Sequence, residues 1–275
     1  MSSRPNQYSL NDLLLVMNRL RDPLSGCPWD LKQDFESITP STLEEAYEVV
    51  DAIERQDLTQ LREELGDLLF QVVFYAQLAD EQKKFSFMEI VDEITSKLIR
   101  RHPHVFHDGD LAARHPKDSP VTADQVTVTW EDLKKSERED KGKHGILDDI
   151  PLALPALSRA AKLQKRASRV GFDWSQANSI VKKIHEELAE LEAELESPEK
   201  VEKIQEELGD LIFTCVNLVR YLAFDPEQTL RRANSKFERR FRYMEKRINE
   251  SGNAIENATQ EEMETYWEQA KVNEL

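Results

Sequence analysis

Apolar positions recur along most of this chain at intervals of three and four. Between Thr42 and Ile53, the residues Leu43, Ala46, Tyr47, Val50 and Ile53 fall on one side of a helical wheel. Glu45 and Glu48 lie three apart on another side of the same segment. Further on, Leu65, Leu68, Leu69, Val72 and Ala76 make a second apolar face, while Phe70 and Phe74 stand opposite it, beside Asp67. A helix that is apolar all round is usually buried. From Leu208 to Val219 the clearly polar side chains are Asp210, Thr214 and Asn217, and they share one stripe. Glu207 and Asp210 are therefore expected where helices meet, not on a wet surface. Strand alternation is confined to VTVTW at 126–130, which reads as the entry to a helix. Only 8 glycines among 275 residues, with abundant Glu, Leu, Ala and Lys, favour the same conclusion. The chain is predicted to be all-α.

The pattern occurs twice. EELGDL stands at 63–68 and again, letter for letter, at 206–211. GCPWD around Trp29 corresponds to GFDWS around Trp174, and TLEEAYEVVDAI (42–53) to KIHEELAELEAEL (183–195). Glu45 and Glu48 match Glu187 and Glu190 at a shift of 142, and Glu64 and Asp67 match Glu207 and Asp210 at a shift of 143. SKLIRRH (96–102) matches SKFERRF (235–241), and Trp130 with the following EDLK matches Trp267 with EQAK. Ordered blocks at nearly constant spacing mark a tandem duplication. The stretch 107–127, rich in Pro, Asp, Gly and Ser, reads as a loop, and HGILDDIPLALP (144–155) as a second break. The expected domains are 1–143 and 144–275. Each holds a short first helix, two long acidic-apolar helices, a basic helix and a last helix bearing Trp.

Charge narrows the partners. The 53 acids against 37 bases leave a formal net charge of −16. Such a surface repels nucleic acid and anionic membranes, whose binding rests on basic residues meeting phosphates. It leaves room for a small phosphorylated ligand delivered with a divalent cation. Cys27 and Cys215 share no CxxC spacing and are expected as reduced thiols. The first residues lack the halves of a signal peptide, and no apolar run approaches the ~20 residues of a membrane span. A soluble, cytoplasmic protein is expected.

Two antiparallel helices carrying ExxE and ExxD bring four carboxylates together without a balancing base nearby in sequence. Unpaired buried carboxylates are costly, and an all-oxygen set suits a hard divalent cation, Mg²⁺ or Mn²⁺ rather than zinc. A di-iron carboxylate bundle would want Glu-x-x-His pairs, and HEELAE (185–190) lacks the second His of a zinc protease. Lys236, Arg239 and Arg240, and in the first copy Lys97, Arg100 and Arg101, fall at i, i+3, i+4 and line one helical face. Guanidinium groups suit phosphate oxygens. Trp130 and Trp267 are compatible with stacking on a base or with a place in the core. His102, His104 and His107 read as a helix terminus broken by Pro103, and no GxxxxGK[ST] loop is present. Metal, basic stripe and aromatic together suggest a nucleotide polyphosphate.

EExxE followed by ExxD, with GCPWD upstream and KFERRF downstream, closely resembles the MazG family of nucleoside triphosphate pyrophosphohydrolases in its tandem-domain bacterial form. The resemblance implies Mg²⁺-dependent hydrolysis of nucleoside triphosphates, ATP among them, to the monophosphate and pyrophosphate. It also implies a place in nucleotide-pool cleansing or stress-nucleotide control. Carried onto this chain, the metal ligands and catalytic acids are Glu187, Glu190, Glu207 and Asp210. Lys236, Arg239 and Arg240 are implied as triphosphate contacts and Trp267 as a nucleotide contact. Lys134, Lys183 and Glu186 match positions associated with catalysis and nucleotide handling. The family fold implies a homodimer in which helices of two protomers complete each bundle. A second possible site comprises Glu45, Glu48, Glu64, Asp67, Lys97, Arg100 and Arg101. The first copy has Leu98 and His102 where the second has Phe237 and Phe241, so the second copy is favoured as catalytic. A nucleotide sensor without turnover, or an acidic helical adaptor, is the alternative reading.

Overall fold

The computed structural model describes residues 7–106, 109–111, 144–196 and 199–273, with isolated positions between 122 and 142. The described residues form helices and turns, as the hydropathy period predicts. The chain divides into two compact units, Met1–Lys134 and Lys135–Leu275. Most of 135–143, which separates this division from one at 143/144, lies outside the described residues, as do Lys134, His107 and most of the 107–127 loop.

In unit 1, α1 (Leu10–Leu20) is followed by a 3-10 turn at Asp30–Lys32, then α2 (Thr39–Glu54), α3 (Leu58–Glu81) and α4 (Phe87–Arg101). Local signals set the boundaries. Ser9 with Asp12 and Ser86 with Glu89 form capping boxes, and Asp57 caps α3 by accepting from the amides of Thr59 and Gln60. α2 and α3 pair as an antiparallel hairpin, and α1 packs on α3. The core gathers Met17 of α1, Ile38 and the Val73, Phe74 and Leu78 positions of α3.

Unit 2 repeats the plan with α5 (Ala156–Ser168), α6 (Ala177–Leu195), α7 (Val201–Tyr221), α8 (Pro226–Glu250) and α9 (Gln260–Val272). α6 and α7 form the acidic hairpin, α5 lies on α7, and α9 packs along α8. Pro226 at the first helical position and Asp225 as N-cap start α8.

One expectation needs correction. The apolar faces of the acidic hairpins do not point into the core of their own unit. Leu43, Tyr47 and Ile53 of α2 and Leu65, Leu69 and Val72 of α3 are exposed, as are Leu188, Leu208 and Ile212 in unit 2. The buried side of α3 is the one carrying Val73 and Phe74. Asp67 and Asp210, expected between helices, are likewise exposed in the single chain. Periodicity fixes which residues share a face, but not which of two apolar faces a neighbouring helix takes.

Candidate functional site

Each hairpin gathers carboxylates from both of its helices. The oxygens of Glu45, Glu48 and Glu64 lie within 4.8 Å of one another in unit 1, and those of Glu187, Glu190 and Glu207 in unit 2. The i, i+3 spacing on one helix presents two acids side by side, and the antiparallel partner supplies the third. Asp67 and Asp210 stand outside these triples, yet each is near enough to act on them by charge. Burial, then Asp67, Glu48 and Glu64, push the Glu45 carboxyl above its ordinary range. Burial, then Glu190, Glu187 and Asp210, do the same for Glu207. Glu48 is raised by burial and by Glu64.

The two triples differ in their counterions. In unit 2, Lys183 lies one turn before the pair and reaches both Glu186, at 2.6 Å, and the buried Glu187, at 3.0 Å. These contacts hold its ammonium well above the usual lysine range. The shift of 142 places Ser41 at the matching position in unit 1. The sequence pointed to Lys183 and Glu186 for nucleotide handling; their mutual pairing at the mouth of the acid cluster is visible only in three dimensions.

A cavity of about 630 Å³ opens beside the unit 2 triple. Asp210, Thr214 and Asn217, the polar stripe of α7, all line it, together with Glu187 and Lys183 of α6. Its other walls are Leu163 and Gln164 of α5, Phe213, and the turn carrying Phe172, Asp173 and Trp174. Arg220 braces that turn: its guanidinium pairs with both oxygens of Asp173 and donates to Asn217 Oδ1 at 2.7 and 3.1 Å. Gln164 and Arg220 escaped the reading of the sequence, because nothing in their local spacing marks them, while Phe172 and Asp173 lie in the GFDWS block that the sequence marks only as part of the duplication.

Unit 1 carries the same acids, but other residues stand where α7 lines the cavity of unit 2. At the shift of 143 that relates α3 to α7, Thr214 falls on Gln71 and Asn217 on Phe74. Arg21, Gln71 and Phe74 are all buried. The Arg21 guanidinium lies 5.5 Å from the Phe74 ring centre. It donates to Glu81 at 2.7 and 2.8 Å, and to the backbone carbonyls of Gln33, at 3.1 Å, and Asp30. A buried charge is tolerated when it is paired and hydrogen-bonded, and this arginine is both.

The remaining residues expected at a site take places nearby. Lys236 and Arg239 are exposed on α8 and Arg240 is half-buried there; α8 packs against α7. Trp267 of α9 packs on Phe237 of α8 at 5.3 Å, and Trp130 donates from its indole to the Arg101 carbonyl at 2.7 Å. Each Trp thus rests on its unit's basic helix. Arg100 of α4 is exposed, and Lys97 and Arg101 are half-buried. His102 bonds back to the Leu98 carbonyl at 2.6 Å, consistent with a helix terminus.

A carboxylate triple with hard oxygen donors would suit a divalent cation such as Mg²⁺. The site can therefore bind a cation and, beside it, an anionic ligand with an apolar part.

Several known proteins are similar to this chain in sequence. A profile of the MazG nucleotide pyrophosphohydrolase domain matches residues 33–106 and 175–244. The nucleoside triphosphate pyrophosphohydrolase of Escherichia coli K12 is 48% identical over 267 residues, covering 97% of this chain and 98% of that one. The nucleoside triphosphate pyrophosphohydrolase/pyrophosphatase MazG of Thermotoga maritima is 43% identical over 260 residues, with 94% of each chain covered. A crystal structure of a MazG-related protein from Thermotoga maritima aligns to 46% of this chain and 99% of that one, at 24% identity and a TM-score of 0.37.

Proposed function

This chain belongs to the MazG nucleotide pyrophosphohydrolase family, and from that premise we propose that it is a nucleoside triphosphate pyrophosphohydrolase whose working site lies in unit 2 and requires Mg²⁺. Water adds to the α-phosphorus, the bond to the α,β-bridging oxygen breaks, and nucleoside monophosphate and pyrophosphate leave. The observation that carries the assignment to unit 2 is the open cavity bearing Lys183, Glu187 and Asp210, set against Phe74, which is buried in unit 1 at the position matching the cavity-lining Asn217.

Glu187, Glu190, Glu207 and Asp210 would hold the cation. When bound, Mg²⁺ (or Mn²⁺ in its place) supplies Lewis acidity at the phosphate oxygens and lowers the pKa of a coordinated water. Lys183, paired with Glu187 in the free protein, is placed to turn to a phosphate oxygen once that carboxylate has another counterion. Lys236, Arg239 and Arg240 offer charge to the departing pyrophosphate, which is where negative charge grows in the reaction. Trp267 and Lys134 complete the expected nucleotide contacts. Glu45, Glu48, Glu64 and Asp67, with Lys97, Arg100 and Arg101, make unit 1 a cation site of structural or regulatory character.

The exposed apolar faces of the two hairpins support a homodimer, since contiguous patches of Leu, Ile, Tyr and Val mark protein interfaces. No described helix is long and apolar enough to cross a membrane. The two free cysteines fit a reducing cytoplasm. Control of cellular nucleotide pools is the role this chemistry suits.

Phosphorus NMR of products from a panel of NTPs and dNTPs, with and without Mg²⁺, tests the reading. Metal-dependent monophosphate and pyrophosphate, lost in Glu207→Gln and kept in Glu64→Gln, are expected. Diphosphate plus phosphate would mean attack at the γ-phosphorus and overturn it. Tight Mg²⁺-dependent binding without turnover would favour a sensor.

A further inference from the structure

The cavity of unit 2 contains an acceptor with nothing to accept. Gln164 is 7% exposed, and its Oε1 is buried without a hydrogen-bond partner. The orientation of the carboxamide is set by its other end. Nε2 donates to the Phe213 carbonyl at 2.9 Å, and since only the NH₂ can donate, Oε1 must be the end left over. Leaving a carbonyl oxygen buried and unpaired is unfavourable, and native proteins rarely keep one without a reason.

We infer that Gln164 reads the nucleobase of the substrate, its Oε1 accepting an N–H from the edge of the base. This rests on the reading of unit 2 as the pyrophosphohydrolase site. Phosphate oxygens are acceptors only, so they suit Lys183 and a cation on the acid triple rather than Oε1. A neutral ring with an N–H on its edge satisfies Oε1, and the aromatic side chains of Phe172, Trp174 and Phe213 give it faces to lie against. Phe172 is 82% exposed in the free chain, as a side chain awaiting a ligand would be. The volume of about 630 Å³ is of the size that holds a nucleoside.

The test compares ATP with purine riboside 5′-triphosphate, which has the same ring and size but no N–H on its Watson–Crick edge. With full-length protein and Mg²⁺, kcat/KM for the analogue is expected to be about 10- to 100-fold lower, the usual penalty for leaving a buried acceptor unmet. In Gln164→Met, ATP should fall to the level of the analogue while the analogue changes little, so the ratio collapses toward one. A loss shared equally by both substrates would show a merely structural residue and overturn the inference. So would a wild-type enzyme that treats both alike, a result that needs no variant to fold. If the wild type forms monophosphate and pyrophosphate from neither, the underlying assignment fails and this inference with it.

Discussion

Truncating the same position in the two copies should give opposite phenotypes. Phe74 is 1% exposed, sits in the core of unit 1 and backs the Arg21 guanidinium. Phe74→Ala removes a buried ring at a cost of about 3–5 kcal/mol. Loss of the cation–π contact adds roughly 0.5–2 kcal/mol. For a unit of this size each kcal/mol moves the melting transition by roughly 3–5 °C, so a drop of ~10–35 °C is expected in unit 1. Asn217, its partner at the shift of 143, lines an open cavity, and its truncation leaves no sealed void. Asn217→Ala gives up the hydrogen bonds to Arg220, worth about 1 kcal/mol, and loosens a wall of the ligand cavity. Calorimetry with hydrogen exchange on α1, α3, α5 and α7 localises each loss, and release of pyrophosphate measures turnover. Phe74→Ala should melt early yet retain its kcat/KM at temperatures where unit 1 is folded. Asn217→Ala should melt near the wild type with KM raised several-fold. A Phe74→Ala protein that is stable but inactive, or an Asn217→Ala protein that is unstable but fully active, would refute the contrast between a filled and an open copy.

The other predictions concern charge. Free Mg²⁺ at a hundred times its Kd stabilises the folded state by about 2.7 kcal/mol, so EDTA should lower the melting temperature of unit 2 in the wild type and leave Glu207→Gln unchanged; equal EDTA effects in both would remove Glu207 from the ligand set. Glu207 is raised above the ordinary glutamate value of 4.5, so the folded state binds its proton more tightly than the unfolded chain. In EDTA the stability of unit 2 should therefore fall as pH rises above about 4.5, while Mg²⁺ affinity rises over the same window; melting and calorimetric titrations at several pH values read both slopes, and a metal-free protein that gains stability there would contradict the crowding of acids. Lys183 competes with a cation for Glu187, so Lys183→Met should bind Mg²⁺ alone more tightly yet turn over nucleoside triphosphates more slowly, and weaker Mg²⁺ binding would show that the ammonium does not oppose the metal. Its raised pKa keeps the ammonium charged throughout the neutral range, so no activity change near pH 7 should trace to it.

How much of this was legible beforehand follows from the range of each interaction. The acid pairs were visible because i, i+3 neighbours on a helix meet whatever else the chain does, and because the duplication repeats them. Lys236, Arg239 and Arg240 share a face for the same reason. The Asp210, Thr214 and Asn217 stripe announced a polar surface within an apolar helix, and all three residues line the cavity. The shift of 143 also held an unread signal, since a phenylalanine, Phe74, in one copy becomes Asn217 in the other.

The sequence by itself thus determined the helices, the duplication and the gathering of carboxylates, because these follow from helical period and composition. Only the tertiary structure decided which side of α3 is buried, which residues line the cavity of unit 2, and which carbonyl Gln164 bonds. Those depend on contacts spanning 49 residues, from Gln164 to Phe213, and 60 residues, from Arg21 to Glu81. Such contacts are set by how whole helices pack. A side chain at one end of the chain acquires its role only when the other end arrives beside it.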